Sequence, residues 1–298
     1  MARLVFLGTP DAAVAPLHTL VDAGHDMALV VSRPDKRRGR GGSLVPSPVK
    51  TAALELGLDV ADSLDDVLGV GAELGVVVAY GRIIPAALLD QLPMVNLHFS
   101  LLPRWRGAAP VERAILEGDS ETGVCLMAVE AGLDTGGIYA ETDTVIGDDE
   151  TADELRGRLV AMGCRLLERH LGDGVAGLPV ARDQVGQPSY AEKVLPAEHR
   201  IHWEQDALQI HRVIRLGRAW TTFRGRRLRI LRAAELPGGP TPGWERAGPP
   251  GTLDQGTVVA GDGARICLLA VQPEGRRPME VGDWLRGYRP EQNERLGA

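Results

Sequence analysis

Short apolar runs recur through the first half of the chain, separated by stretches in which apolar residues return every three or four positions. RLVFLG, residues 3–8, predicts a strand. TPDAAVAPLHTLVDAG after it predicts a helix with Thr9 as N-cap, Pro10 at its first position and Gly24 closing it. DMALVVS predicts a second strand, SPVKTAALELG a helix opened by Ser47 and Pro48, and GVVVAYG a strand apolar enough to be buried on both faces. MVNLHFS, the helix-like APVERAILEGD, the strands TGVCLMAVE and IYAETDTVI, and a long helix over 151–171 complete the series. Strands alternating with helices predict an α/β, mostly parallel, doubly wound sheet.

The pattern changes near residue 172. GDGVAGLPVARDQVGQPS is rich in glycine, proline and polar residues without an apolar stripe, so 176–199 is expected to be a linker. One helix is expected over 204–217. Beyond it come short strand patterns, RRLRILRAA, GTVVAG and ARICLLAVQ, interrupted by a Gly/Pro-rich stretch from Pro237 to Gly251. Four of the five tryptophans, Trp203, Trp220, Trp244 and Trp284, fall in this part. The expected organisation is therefore a first domain over 1–175 and a smaller β-rich domain over 200–298, an OB-like β-barrel.

Composition narrows the class. The 298 residues, 44% of them hydrophobic, can bury two cores, and the absence of an eighteen-residue apolar run argues for a cytoplasmic protein rather than a membrane-spanning one. Cys125, Cys164 and Cys267 are far apart and form no metal-ligand spacing, so they are expected to be buried reduced thiols. The net charge of −7 excludes a protein that coats nucleic acid indiscriminately, yet residues 200–232 carry nine arginines against Glu204 and Asp206. That segment alone is about +7 and leaves about −14 on the remainder, so the basic charge is concentrated where it can hold a polyanion. A solvated amphipathic face is the plainer alternative.

Candidate chemistry sits in NLHFSLLPRWRGAAP, residues 96–110. On a strand, Asn96, His98 and Ser100 share one face while Val95, Leu97 and Phe99 share the other. Carboxyl ends of strands in open parallel sheets are where ligands bind. AGLDTGG, residues 131–137, adds a carboxylate on a glycine-flanked loop just past another strand. A lone strand histidine can be a satisfied interior residue. An amide, an imidazole and an acid together have the parts for acyl transfer to an amine: an oxyanion donor, a proton shuttle and a group that orients the shuttle.

These segments resemble the formyltetrahydrofolate-dependent formyltransferases. NLHFSLLPRWRGAAP and LDTGGIY carry the likeness, and LVFLGTPDAAVAPL, RPDKRRGRGGSLVPSPVK, VVVAYGRIIP, SYAEKV and VQPEGRRPMEVGDWLRG extend it in order along the chain. The resemblance implies a Rossmann-like catalytic domain and catalytic residues Asn96, His98 and Asp134. It implies a donor, 10-formyltetrahydrofolate, lined by Ser100, Leu101, Leu102 and Pro103 and met by backbone of Ala79, Tyr80 and Gly81. Within the family the likeness is strongest to members whose acceptor is methionyl initiator tRNA, as used in translation initiation. No metal is implied, and a monomer is expected.

For RNA, the resemblance singles out the basic glycine-rich loop with Arg33, Lys36, Arg37, Arg38 and Arg40, which can order on an acceptor stem. Arg226, Arg227 and Arg229 of the second domain are the other candidates. Two departures stand out. Phe99 replaces a small residue or proline, on the face away from the chemistry, and RLGRAWTTF (215–223) replaces a proline-rich turn. A sugar-nucleotide amine formyltransferase would share the three catalytic residues but has less use for the basic segments. A hydrolase of the same folate would show a different loop, and an inactive RNA-binding relative would show damage in the triad.

Overall fold

In the computed structural model, residues 1–38, 42–235 and 248–298 are described. Arg40, Trp244 and most of the Gly/Pro-rich stretch from Pro237 lie outside the described residues.

The apolar runs become the middle of a seven-stranded sheet. Its order is Ile138–Val145, Glu121–Ala128, Met94–His98, Leu74–Val78, Arg3–Gly8, Asp26–Val31 and Val60–Ala61. The five strands from Met94–His98 to Val60–Ala61 run parallel, and the last two in sequence pair antiparallel at the other edge. Leu74–Val78 is buried along its whole length, as a strand covered on both faces must be. The chain winds outward from Arg3–Gly8 to Val60–Ala61, then returns to the opposite side at Leu74–Val78. That reversal is the topological switch point, and in open α/β sheets the carboxyl ends of the two strands flanking it are where ligands bind.

Local chemistry explains the helix starts, with one correction. Ser47 caps the helix Pro48–Glu55 by accepting from the Lys50 N–H at 3.0 Å, with Pro48 in its first turn. Thr9 is not a cap. Its hydroxyl donates to the Tyr80 carbonyl at 3.2 Å, tying together the ends of two sheet strands. The chain enters the helix Val14–Asp22 through a 3-10 turn at Asp11–Ala13 instead. A tertiary hydrogen bond at the sheet end has displaced the local one. Gly24, with φ of +81°, closes the helix as its left-handed backbone requires.

Two further segments depart from the pattern reading. The basic loop contains a short hairpin, Lys36–Arg38 paired with Ser43–Val45. The stretch expected to be a linker is held closely up to Lys193. Ile138 and Arg182 form a β-bridge, and Tyr190–Ala191 pairs in parallel with Arg106–Gly107.

Contacts divide the chain into two compact units. The first comprises Met1–Val111, Glu121–Val145 and Leu155–Lys193; the second comprises Glu112–Ser120, Ile146–Glu154 and Val194–Ala298. Within the second, an antiparallel sheet runs Trp220–Phe223, Arg226–Glu235, Arg265–Pro273, Thr257–Val259 and Leu253–Asp254, with Met279–Glu280 also on Arg265–Pro273. Leu228, Ile230, Ile266 and Leu268 turn one face inward against the helix Ala207–Arg215 and against Trp284 of Val281–Tyr288. Trp284 is fully buried and meets Phe223 edge to face at 5.0 Å. Of the three thiols, only Cys125 is buried; Cys164 and Cys267 are half-buried, Cys267 on the strand face opposite the buried Ile266 and Leu268.

Candidate active site

Asn96 and His98 arrive on the carboxyl half of Met94–His98, where Asn96 sits between Val77 and Met127 and His98 faces Cys125 in register. The strand ends at His98, so the shared face holds for Asn96 and His98 but not as strand geometry for Ser100. Ser100 is fully buried and donates to the Arg104 carbonyl at 2.6 Å. Its hydroxyl shapes the turn. Leu102 and Phe99 are buried too, and the Leu102 N–H points to the Cys125 Sγ at 3.5 Å. Burial pushes the Cys125 thiol up to about 12, so it remains a neutral thiol beneath the turn.

His98 is only 5% exposed. Its Nε2 lies 2.8 Å from the Trp105 carbonyl, which can only accept, so the ring carries its proton there. Nδ1 faces Asp134 Oδ2 at 3.6 Å. That separation is electrostatic contact rather than a hydrogen bond. The same carboxylate oxygen accepts the Gly107 N–H at 2.7 Å. The half-buried Asn96 side chain makes no hydrogen bond among the described residues, leaving its amide free on the strand face it shares with His98.

Asp134 reaches this place through an unusual backbone. Its φ is +50°, a left-handed conformation that aspartate tolerates better than most residues. Two features hold the loop. A Cβ at Gly136 would run into the Ala128 carbonyl oxygen, so only glycine lets the loop lie this close. Gln184, from the stretch read as a linker, donates its amide to the carbonyls of Asp134 and Gly136, each at 2.8 Å. Its Oε1 accepts from Arg106 Nε and Nη2 at 3.1 and 2.7 Å. Ser189 from the same stretch accepts the Trp105 N–H at 2.9 Å. Neither Gln184 nor Ser189 has a sequence signal, because both are polar residues in an aperiodic segment.

The remaining candidates separate into places. Ala79 and Gly81 have exposed backbones with φ of +47° and +72° at the carboxyl end of Leu74–Val78, and Tyr80 between them is buried. Arg33 lies against Gly81, apart from the exposed Lys36 and Arg37 on the hairpin, while Asp35 pairs with Lys50 at 2.7 Å. In the second unit, Arg227 and Arg229 share a strand face with Arg218 nearby, whereas alternation turns Arg226 toward the Phe223 and Trp284 side. Among the described residues no group of His, Cys, Asp or Glu is placed to hold a metal, and no helix is long and apolar enough to cross a membrane.

A doubly wound sheet with a free amide, an imidazole and a carboxylate gathered at its carboxyl edge has the parts of an acyl-transfer site. The chain belongs to the formyl transferase family: the formyl transferase domain matches residues 2–171 and the formyl transferase C-terminal domain residues 193–289. It is 42% identical over 301 residues to the methionyl-tRNA formyltransferase of Cereibacter sphaeroides, an alignment covering 96% of each chain. Among solved structures, the N-formyltransferase from Helicobacter canadensis, in complex with folinic acid and dTDP-3-aminofucose, matches with a TM-score of 0.69 at 18% identity, over 92% of this chain and all of that one. The methionyl-tRNA formyltransferase from Clostridium thermocellum matches with a TM-score of 0.56 at 17% identity, over 80% of this chain and 96% of the other. These two likenesses concern the fold.

Proposed function

We propose that this protein transfers a formyl group from 10-formyltetrahydrofolate to the α-amine of methionyl initiator tRNA. The observation that supports the chemistry is the approach of Asp134 Oδ2 to His98 Nδ1 at 3.6 Å, at the end of the strand that also carries Asn96. The acceptor is supported by likeness over 96% of both chains to an enzyme named for methionyl-tRNA, and by the arginine-rich strand of the second unit. In this reading 1–175 is the catalytic domain, 176–199 the connection and 200–298 the RNA-binding domain, acting as a monomer in the cytoplasm without a metal.

The donor fits the residues present. A flat heterocycle that reads backbone groups suits the left-handed backbone at the exposed Ala79 and Gly81, with Tyr80 between them, and in the turn Ser100, Leu101, Leu102 and Pro103 it is Leu101 that keeps surface for the donor while the other three are buried. When bound, 10-formyltetrahydrofolate supplies an activated formyl carbon, which bonds to the amine nitrogen as its bond to N10 breaks. Asn96 donates its amide N–H to the formyl oxygen as negative charge grows there, a contribution of roughly 3 to 4 kcal/mol for one such donor. His98 gives up its Trp105 carbonyl, carries its proton on Nδ1 toward Asp134 instead, and with Nε2 then takes the proton lost by the amine and passes it to N10. Asp134 faces the imidazolium formed on the way and favours it.

Arg33, Lys36, Arg37, Arg38 and Arg40 position the acceptor end, and Arg226, Arg227 and Arg229 bind its phosphates. The test offers the protein 10-formyltetrahydrofolate with either methionyl initiator tRNA or an amino-sugar nucleotide. Formyl-methionyl-tRNA is the expected product, and formylation of the sugar alone overturns the reading.

A further inference from the structure

The nine arginines between Arg200 and Arg232 are not equivalent once folded. Arg215 is buried, and its guanidinium donates to the Gly147 and Glu150 carbonyls at 2.7 and 2.8 Å. Arg224 pairs with Glu294 at 2.7 Å and Arg232 with Glu280 at 3.1 Å. These three serve the fold or are neutralised locally. Arg218, Arg227 and Arg229 instead line one open cavity of about 380 Å³, and none of their guanidiniums is paired with a carboxylate among the described residues, although the Arg227 backbone N–H donates to Glu274 Oε2 at 3.4 Å.

The local backbone explains why they meet. Trp220 and Arg229 are directly opposed on neighbouring antiparallel strands, as are Thr222 and Arg227, so Arg227 and Arg229 project from the same face. The opposite face carries Leu228 and Ile230 into the core, which fixes that orientation. Gly217, with φ of +77°, turns the chain between the helix Ala207–Arg215 and the strand Trp220–Phe223, and its carbonyl accepts from Arg229 Nη2 at 3.2 Å. The turn thereby delivers Arg218 to the cavity. Arg229 is further aimed by Gln272, which accepts from Nη1 at 2.9 Å, and Arg227 lies on the Trp220 ring at 4.4 Å from its centroid. The joint field is felt nearby. Burial first and then Arg218 hold the His199 imidazole below its ordinary range, with Arg227 acting in the same direction.

Three uncompensated guanidiniums facing one cavity repel one another, an arrangement that costs stability and is relieved by an anion. Two of the three are pre-aimed by neutral partners, which leaves their charge available while fixing their planes. We propose that Arg218, Arg227 and Arg229 form a discrete seat for one segment of RNA sugar–phosphate backbone, with Trp220 as its floor. This inference rests on the functional reading above and narrows it: the RNA contact of the second unit is a built site centred on Arg218, not the summed field of the basic segment. Arg218 comes from RLGRAWTTF, the segment that leads from the helix Ala207–Arg215 into the strand Trp220–Phe223.

The experiment measures the affinity of the full-length protein for methionyl initiator tRNA across a potassium chloride series. The variants are Arg218→Gln, Arg227→Gln, Arg229→Gln and, as a comparison from the same segment, Arg232→Gln. Each of the first three should weaken binding by on the order of 5–10-fold and lower the slope of log affinity against log salt by roughly 0.7 to 0.9 for each phosphate left without its cation. Arg232→Gln should do neither. Arg218→Gln decides the matter, because that side chain holds nothing else in the fold among the described residues. Equal losses in all four variants would mean a diffuse field and overturn the seat. So would unchanged slopes in the first three while the native protein still formylates tRNA. Inorganic phosphate that displaces the tRNA at equal concentration would also overturn it, marking a small-anion site. A native protein that neither binds nor formylates the tRNA overturns the functional reading instead.

Discussion

His98 Nδ1 and Asp134 Oδ2 stand 3.6 Å apart, while that carboxylate oxygen holds the Gly107 N–H at 2.7 Å. The acid is therefore anchored by backbone and faces the ring without being bonded to it. An anchored carboxylate can attract an imidazolium as it forms, since the Coulomb term persists over this distance in a poorly solvated site.

From that arrangement, His98→Ala should lower turnover by on the order of 10²-fold or more, with tRNA affinity nearly intact. Asp134→Asn should act in the same direction, because it keeps the volume, tolerates the left-handed backbone and removes only the charge. Single-turnover formylation rates measure both. Near-native rates in both variants would rule out the assignment.

Gln184 is a positioning residue, and its two ends can be separated. Gln184→Glu keeps an acceptor for Arg106 but loses the amide N–H groups that hold the Asp134 and Gly136 carbonyls. The expected outcome is a fall in kcat of roughly tenfold with little change in KM for tRNA, since a small misplacement of a catalytic group is costly. Unchanged kcat with a lower melting temperature would reduce Gln184 to a structural role.

Gly136→Ala forces a methyl group against the Ala128 carbonyl. Overpacking of this kind costs about 1–3 kcal/mol, and the loop has to shift to accommodate it. Thermal unfolding should show the loss of stability, and the formylation rate should fall with it because Asp134 moves too. A stable, fully active variant would mean that the loop's close approach is dispensable.

In the second unit, Arg113 bonds Glu198 at 2.7 Å and holds its carboxyl below the ordinary glutamate range. A depressed folded-state value contributes stability above the ordinary range, and that contribution is lost as pH falls through the lower folded value. Glu198→Gln should therefore melt below the native protein at neutral pH, with the difference closing under acid conditions. The pair is partly exposed, so the effect should stay under about 1 kcal/mol. A difference that is constant with pH would show that the charge is not involved.

The alternation of apolar runs with amphipathic stretches was enough to determine the parallel sheet, because strands buried on both faces and helices covering them leave direct periodic traces. Period two likewise placed Asn96 and His98 together, and the glycines around Asp134 marked a loop. What periodicity cannot carry is contact between segments distant along the chain. Thr9 reads as a helix cap, yet it bonds Tyr80; residues 176–199 read as a connection, yet Gln184 and Ser189 reach across to Asp134 and Trp105. The arginine-rich segment announced its charge, but strand register and the Gly217 turn decided that Arg218 joins Arg227 and Arg229 while Arg224 and Arg232 are neutralised by acids far along the chain. Sequence carries the local preferences of each residue, whereas the partner that satisfies a polar group is chosen only when the fold brings one within reach.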